Sequence, residues 1–245
     1  MRLDRFICSQ GGLTRSDAKR MIQKGFVSVN GKVAVRSDTA VDEEKDVITL
    51  KGQVLSYRKY VYIMLNKPKG YICATEDRKS ATVTELIPPS LFRKGIFPAG
   101  RLDIDTTGFV LMTDDGELAH NMLSPKHHVE KEYEVSLRDP CKEDTARLFE
   151  EGITLEDGES CAPARLIFTG DPKLVRLVLH EGKFHQVKRM FEAAGNKVTD
   201  LKRIRIGGVC LDESLAAAEC RELNEEEVGL LLKREKTEVR ECDEV

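Results

Sequence analysis

The segments after residue 60 that have the pattern of β-strands outnumber the helical segments and alternate with them irregularly. The strand-like segments include YVYIML, KEYEVSL, PARLIFTG, LVRLVLHEG and VTDLKRIRIGGVCL. Helical patterns occur at TVTELI, ELAHNMLS and FHQVKRMFEAAG. This irregular alternation is typical of an α+β fold rather than of repeated β–α–β units. We therefore predict an α+β chain whose larger part is built on a mixed or antiparallel sheet.

The N-terminal segment has a pattern of its own, which begins with two short helices. RLDRFI starts the first helix, with Leu3, Phe6 and Ile7 on one side. In TRSDAKRMIQKG, Thr14 is placed to cap the second helix, and Gly25 is placed to end it. We expect the unit that these helices begin to be able to fold on its own.

A hairpin and a further strand complete this N-terminal segment. FVSVNGKVAV alternates apolar and polar residues around Asn30-Gly31, which is the strongest short signal for a hairpin with a type I′ turn. DVITL predicts another strand, and the polar stretch KGQVLSYRKY predicts a linker. The expected division is a first domain, a linker, a larger domain and a charged tail, over residues 1–55, 56–60, 61–228 and 229–245.

Charge is distributed unevenly along the chain, although the net charge is only -3. Residues 1–36 carry eight basic and two acidic side chains, whereas residues 222–245 carry nine acidic and four basic ones. A polyanionic partner would therefore bind at the N-terminal end. The alternative interpretation of the basic residues is an ordinary solvated helix face.

Several classes of protein are disfavoured by the sequence. No apolar run approaches the roughly 20 residues of a membrane span, and MRLDRFICSQ lacks the apolar region of a signal peptide. We expect a cytoplasmic protein with no membrane partner. The seven cysteines form no C-x-x-C pair and favour reduced thiols, and the histidines lack partners at ligand spacing, so we expect no metal site. Motifs of nucleotide hydrolysis, dinucleotide redox chemistry and zinc proteases do not occur.

Two carboxylates occupy a glycine-bounded turn in GRLDIDTTGFVLMTDDG, residues 100–116. Asp103 and Asp105 face the same way if the segment is extended, as the paired carboxylates of a glycosidase would. The absence of Trp disfavours a sugar site. Aspartates in such turns more often accept backbone N–H bonds, and the turn taken alone favours that structural role.

Residues 1–55 resemble the S4 RNA-binding domain. The resemblance is carried by Leu3, Arg5, Phe6, Ser16, Ala18, Ile22, Gly25, Val27, Val29, Asn30 and Gly31. It implies a small α/β domain that presents basic side chains to RNA phosphates, a contact that depends on salt and not on base sequence. The side chains expected to make it are Arg5, Arg15, Lys19, Arg20 and Lys24.

Four motifs in order make the chain similar to the RsuA-type branch of the pseudouridine synthases, from about residue 1 to residue 228. They are LNKPKGY, GRLDIDTTGFVLMTDDG, EKEYEV and EGKFHQVKRMF. Together with the S4-like segment they match the domain order of that branch. SPKHHVEKEYEV and HQVKRMF look most like the member that acts on 16S rRNA, although the relatives that act on 23S rRNA share nearly all of the pattern.

This resemblance implies an isomerisation in which the bond between uracil and ribose is cut, the base turns and C5 joins C1′. The family's catalytic aspartate falls on Asp103, its active-site tyrosine on Tyr133 and the basic partner of the aspartate on Lys188. Asp105 remains structural. The alternative roles are a core ring for Tyr133 and a solvated helix side chain for Lys188. Substrate contacts are expected from Arg101, Lys67, His185, Gln186 and Arg189.

The reaction moves no electron and imports no group, so we expect no cofactor. The expected partner is rRNA, with 16S favoured, or a small-subunit assembly particle, and we expect the chain to act as a monomer. The rival interpretation is a non-catalytic RNA-binding or ribosome-assembly factor that keeps the fold without turnover. The intact motifs disfavour it.

Overall fold

Residues 1–10, 12–124 and 129–232 are described by the computed structural model of the chain, so most of the predicted charged tail lies outside the described residues. They form two units, one from residues 1–61 and 87–96 and the other from the remainder. Within the described ranges, no helix has the length and apolar character needed to cross a membrane.

The first unit contains two helices and a four-stranded sheet. The helices are α1 (Leu3–Gln10) and α2 (Arg15–Gln23). The strands are β1 (Val27–Val29), β2 (Lys32–Val33), β3 (Ile48–Leu50) and β4 (Gln53–Leu55). Neighbouring strands are antiparallel in the order β2-β1-β3-β4.

The local signals in this unit predicted its structure correctly. Leu3, Phe6 and Ile7 are buried in its core. Thr14 caps α2, because its hydroxyl oxygen accepts a hydrogen bond from the backbone N–H of Asp17 at 3.2 Å. Asn30 and Gly31 both have positive φ, +50° and +78°, as a type I′ turn requires. The predicted α2 cap and the β1–β2 hairpin are therefore confirmed.

The predicted linker instead contributes to the structure of the first unit. Lys51 and Gly52 form a second tight turn with positive φ, and it joins β3 to β4. Beyond β4, the ring of Tyr57 stacks on Phe6 with 6.0 Å between ring centres. Sequence signals missed β4 because Val54 is exposed, so the strand carries no buried apolar pattern. The boundaries given above for the domains remain predictions.

The second unit contains nine strands and four α-helices among its described residues. The strands are β5 (Tyr62–Lys67), β6 (Phe97–Ala99), β7 (Thr107–Thr113), β8 (Lys131–Leu137), β9 (Arg165–Phe168), β10 (Leu174–Leu179), β11 (Val198–Ile206), β12 (Val209–Cys210) and β13 (Cys220–Glu222). The helices are α3 (Gly116–Leu123), α4 (Asp144–Glu150), α5 (Gln186–Ala193) and α6 (Glu225–Leu230), with a short 3₁₀ helix at Val83–Leu86.

These nine strands form one mixed sheet. Its main path runs β13-β5-β7-β11-β8-β10-β9, with β6 paired to β7 and β12 paired to β11. The pairing of β7 with β11 is parallel, and the other described pairings are antiparallel. The predicted α+β class with a mixed or antiparallel sheet is confirmed.

Gly108 makes the parallel contact between β7 and β11 possible. It has a φ of +98°, and a Cβ atom at this position would lie 2.2 Å from the carbonyl oxygen of Arg203. Any other residue would push the two strands apart. The close approach places the loop that precedes β7, residues 100–106, beside β11.

Two helices of the second unit, α3 and α5, are held by contacts that the sequence encodes locally and in the core. Asp115 caps α3 and accepts backbone N–H bonds from Glu117 and Leu118, each at 3.0 Å. The apolar face of α5 is buried, and Phe191 on that face makes an edge-to-face contact with Phe149. The opposite face of α5 is thereby free to present polar side chains.

Most of the described cysteines match the expectation of reduced thiols. Free thiols occur at Cys8, Cys73, Cys141, Cys161 and Cys220. Cys210 is disulfide-bonded, so the expectation is wrong at that position.

Candidate active site

A cavity of about 400 Å³ opens in the second unit. Its walls come from the loop 100–106, from β8 and β11, and from the segment 182–187 that leads into α5. Asp103 and Tyr133 both line it, although they are 30 positions apart in the sequence. Three of the four motifs quoted above, GRLDIDTTGFVLMTDDG, EKEYEV and EGKFHQVKRMF, therefore meet at this cavity.

Lys67 holds the loop that carries Asp103. Its side chain is fully buried, and its ammonium donates to the carbonyl oxygens of Asp103 at 3.0 Å and Thr106 at 2.8 Å. Burial lowers the pKa of Lys67. Because Lys67 does not line the cavity, the predicted contact between Lys67 and substrate is replaced by a structural role, which burial imposes.

Lys188 connects the two aspartates of the loop. Projecting from α5, its ammonium donates to Asp103 Oδ2 at 3.2 Å and to Asp105 Oδ1 at 2.6 Å. Burial lowers the pKa of Lys188, but its hydrogen bonds to Asp105 and Asp103 outweigh burial and raise it overall. The hydrogen bond from Lys188 lowers the pKa of Asp105. The predicted pairing of Lys188 with Asp103 thus exists, and it is shared with Asp105.

His185 approaches the other carboxylate oxygen of Asp103. Its Nε2 lies 3.6 Å from Asp103 Oδ1, which is too long for a hydrogen bond. His185 has a left-handed backbone with a φ of +48°, and its ring stacks on exposed Phe184 with 3.8 Å between ring centres. The stacked pair forms part of the cavity rim.

Tyr133 lies on the cavity face of β8. Its side chain is 8% exposed, and its hydroxyl group makes no hydrogen bond to another residue in the part of the chain that the structure describes. Successive residues of a strand alternate between faces, so Lys131 and Tyr133 share this face, and both line the cavity. Arg203 of β11 lies opposite Tyr133 in the register and lines it too.

The remaining predicted contact residues divide into two kinds. Arg101 is exposed and lines the cavity. Gln186 also lines it, but its side chain is buried and donates to Glu181 Oε1 at 2.6 Å. Arg189 lies outside the cavity lining and pairs with Glu159 at 2.9 Å and with Asp157. The guanidinium group of Arg189, which we expected to contact substrate, therefore forms ion pairs within the protein instead.

Sequence analysis missed Lys131 and Arg203. KEYEV and LKRIRI were recognised only as strand-like segments, and their basic residues were assigned no role. Both side chains are buried in the cavity wall. No group of three or more metal-ligating side chains is placed to hold a metal ion in the described ranges.

The basic side chains of the first unit that were predicted to contact RNA are exposed. Arg5, Arg15, Lys19 and Lys24 carry no ion pair with a described residue. Arg20 is paired with Asp17 at 2.6 Å. The unpaired four are available to an anionic partner.

Two family patterns match the chain. Residues 61–193 match the RNA pseudouridylate synthase family, and residues 1–48 match the S4 domain. The first match covers the loop 100–106, β8 and the start of α5, which supply Asp103, Tyr133 and Lys188.

Known proteins of similar length align with nearly the whole chain. An uncharacterised RNA pseudouridine synthase, YtzG of Bacillus subtilis, is 44% identical and covers 94% of this chain and 98% of its own length. Ribosomal small subunit pseudouridine synthase A of Escherichia coli is 43% identical and covers 94% and 99%. A crystal structure of a pseudouridylate synthase is 42% identical with a TM-score of 0.67, and covers 94% of this chain and 99% of its own.

Proposed function

The chain belongs to the RNA pseudouridylate synthase family, and from this premise we propose that it converts a specific uridine of 16S rRNA to pseudouridine. Membership confirms the resemblance that the sequence motifs indicated, including the S4 domain. Small-subunit RNA is favoured because the Escherichia coli relative, which aligns over 94% of this chain, is named for the ribosomal small subunit.

One observation carries the proposal for the site, the ion pair between Asp103 and Lys188 in a cavity lined by Tyr133. A carboxylate in such a place can attack the sugar or stabilise positive charge on it. The ammonium of Lys188 holds this carboxylate in place, because it donates to Asp103 Oδ2 at 3.2 Å. We assign Asp103 as the catalytic carboxylate and Lys188 as its basic partner.

The reaction exchanges a carbon–nitrogen bond for a carbon–carbon bond. The target uridine leaves the RNA stack and enters the cavity. The C1′–N1 bond breaks, its electron pair goes to the base, and Asp103 holds C1′ either as an ester or as an ion pair. The base then turns, and C5 bonds to C1′ with that electron pair. C5 loses one proton and N1 gains one, so the product is an isomer and no oxidant or reductant is consumed.

The other residues have roles that follow from their positions. Tyr133 lies against the base and can move a proton, while Arg101 and His185 at the rim contact the RNA beside it. Lys67, Gln186 and Arg189 are positioning residues, which shape the loop and the segment before α5.

The first unit supplies RNA affinity in this proposal. Its exposed basic side chains attract phosphates without reading bases. We propose that the chain acts as a cytoplasmic monomer on rRNA or on a small-subunit assembly particle. The domain division at residues 55 and 61 belongs to the same proposal.

A single assay tests the function. The purified full chain is incubated with unmodified 16S and 23S transcripts, and pseudouridines are mapped in both. We expect modification at one site in 16S rRNA. Modification of 23S rRNA alone would show that the substrate is large-subunit rRNA. Binding of either transcript without formation of pseudouridine would favour a non-catalytic assembly factor. Deleting the gene and mapping the pseudouridines that disappear identifies the site in the cell.

A further inference from the structure

Two buried cations in the cavity wall have no acidic partner among the residues that the structure describes. Lys131 is 6% exposed and Arg203 is 2% exposed. Lys131 donates to the carbonyl oxygen of Val129 at 3.1 Å, and Arg203 Nε donates to the carbonyl oxygen of Phe109 at 2.8 Å. In the described ranges, no carboxylate forms an ion pair with either.

The contrast with Arg205, on the same strand, shows how the chain treats another buried arginine. Arg205 is paired with Glu132 at 2.7 Å and with Glu130 at 2.9 Å. A register shift in the pairing with β8 separates Arg203 from Arg205. Carboxylates therefore neutralise Arg205, whereas the positive charge of Arg203 remains at the cavity.

Keeping two unpaired positive charges in this wall is unfavourable for the fold. Burial of an ion without a partner costs free energy. Arg203 also has one buried nitrogen, Nη2, without a hydrogen-bond partner among the described residues. Burial lowers the pKa of Lys131 to about 8, with a smaller contribution from the charge of Arg203. A buried polar group left unsatisfied in this way calls for a functional explanation.

We propose that Lys131 and Arg203 stabilise the negative charge that uracil acquires when its bond to ribose breaks. This inference rests on the proposed function. In that step the C1′–N1 electron pair passes to the base and spreads over N1, O2 and O4, while C1′ is held by Asp103. The charge is removed when the same pair forms the C5–C1′ bond and the proton of C5 is exchanged for one on N1.

The position of the two cations favours the base over a phosphate as their ligand. They flank Tyr133 in the wall of the cavity, where a base flipped out of the stack would enter. Phosphates remain on the RNA strand and are bound by exposed side chains. A cation that meets a neutral base in the ground state and an anion after bond cleavage lowers the barrier, because its interaction strengthens only as the bond breaks.

The test measures chemistry, binding and stability of one variant, Lys131→Met, in the full chain. We expect single-turnover pseudouridine formation on 16S and 23S transcripts to slow on the order of 100-fold, with the dissociation constant for RNA unchanged. At neutral pH the variant should melt at a higher temperature than the parent, because a buried unpaired charge has been removed. Lys173→Met, at an exposed position outside the cavity lining, is the matched control and should change none of the three.

The gain in stability has a defined pH dependence. Because the pKa of Lys131 is lowered from 10.5 to about 8 in the fold, its charge destabilises the folded state fully below about pH 8. This destabilisation decreases as the pH rises from about 8 to 10.5, the ordinary pKa of lysine. The difference in melting temperature between Lys131→Met and the parent should vanish above that pH. The titratable and charged groups that face the cavity with Lys131 are Arg101, Asp103, Tyr133, Lys183, His185 and Arg203.

Each other outcome contradicts the inference. An unchanged rate in Lys131→Met would show that the charge takes no part in chemistry. Weaker RNA binding with an unchanged rate would assign the cation to a phosphate, and a lower melting temperature would show that the charge is compensated in the fold. Absence of pseudouridine with the parent chain on both transcripts would reject the proposed function itself, and this inference with it. Arg203→Met, checked for folding by circular dichroism, should slow the same step as Lys131→Met.

Discussion

The ammonium of Lys188 lies 3.2 Å from Oδ2 of Asp103, so the proposed catalytic carboxylate has a positive neighbour supplied by another element of the fold. Replacing Lys188 with Met removes this contact together with the hydrogen bond of 2.6 Å to Asp105. The loop then holds Asp103 less firmly against the reacting atoms, so pseudouridine formation should slow on the order of 100-fold while RNA binding is unchanged. Single-turnover rates, with RNA binding measured in parallel, check this.

Lys188→Arg is the control for this prediction, because it keeps the positive charge. It should retain more of the single-turnover rate than Lys188→Met does. Equal rates for the parent and Lys188→Met would show that Lys188 is an ordinary solvated helix side chain.

Asp103 and Asp105 should differ when each is changed to Asn. Asp103→Asn removes the group that acts on the sugar, and no pseudouridine should form, a loss of several kcal/mol of barrier stabilisation, on the order of 3 or more. Asp105→Asn removes an exposed partner of Lys188 and should remain active. Single-turnover assays with RNA binding measured in parallel separate these effects. Turnover by Asp103→Asn, or inactivity confined to a folded Asp105→Asn, would reverse the assignment.

Lys67→Met should reduce stability and activity together. The carbonyl oxygens of Asp103 and Thr106 lose a buried donor, at a cost of about 1–3 kcal/mol for the unsatisfied groups. The loop then holds Asp103 less firmly, and the rate of the chemical step should fall. Chemical denaturation and single-turnover rates give the two quantities. Lys69→Met is the control, since Lys69 forms an exposed ion pair with Asp200 and exposed pairs contribute at most about 1 kcal/mol.

The basic side chains of the first unit should set the salt dependence of RNA binding. Changing Arg15, Lys19 and Lys24 to Gln should reduce the slope of log affinity against log salt by about 1 for each phosphate that is no longer neutralised. Arg20→Gln should have a smaller effect, because Asp17 already pairs with Arg20. These substitutions are preferable to deleting residues 1–55, since residues 87–96 belong to the same unit. A full slope in the triple variant would exclude the first unit as the phosphate-binding surface.

Local features of the fold were predictable from the sequence. The Thr14 cap and the Asn30-Gly31 turn depend on hydrogen bonds and backbone angles within a few residues, so the residue types alone indicate them. Irregular alternation of strand and helix patterns was sufficient for the α+β class. Strand order was not predictable, because the contact of β7 with β11 depends on residues far apart in the chain.

The candidate site was predictable in part, and for a different reason. The motif resemblance indicated Asp103, Tyr133 and Lys188, and the fold brings these side chains to one cavity region. Lys67 and Arg203 could not be placed, because burial of a charged side chain depends on tertiary neighbours and not on local spacing. A lysine before a proline turn and an arginine in a basic strand have the same local appearance whether they face water or the interior.

The pairing of β7 with β11 has a consequence for when the cavity forms during folding. Arg203 contacts Phe109 across 94 residues of sequence, and Lys188 contacts Asp103 across 85. Contacts between residues so far apart in the sequence close long loops. Because loop closure costs chain entropy, these contacts form later than local structure does. We expect the cavity to assemble after the local structure of the second unit, and pulsed hydrogen exchange should show β11 protected later than α3 and α4. A chain released from the ribosome before residue 203 would therefore carry the Asp103 loop without a complete β11 wall, and it should be unable to form pseudouridine.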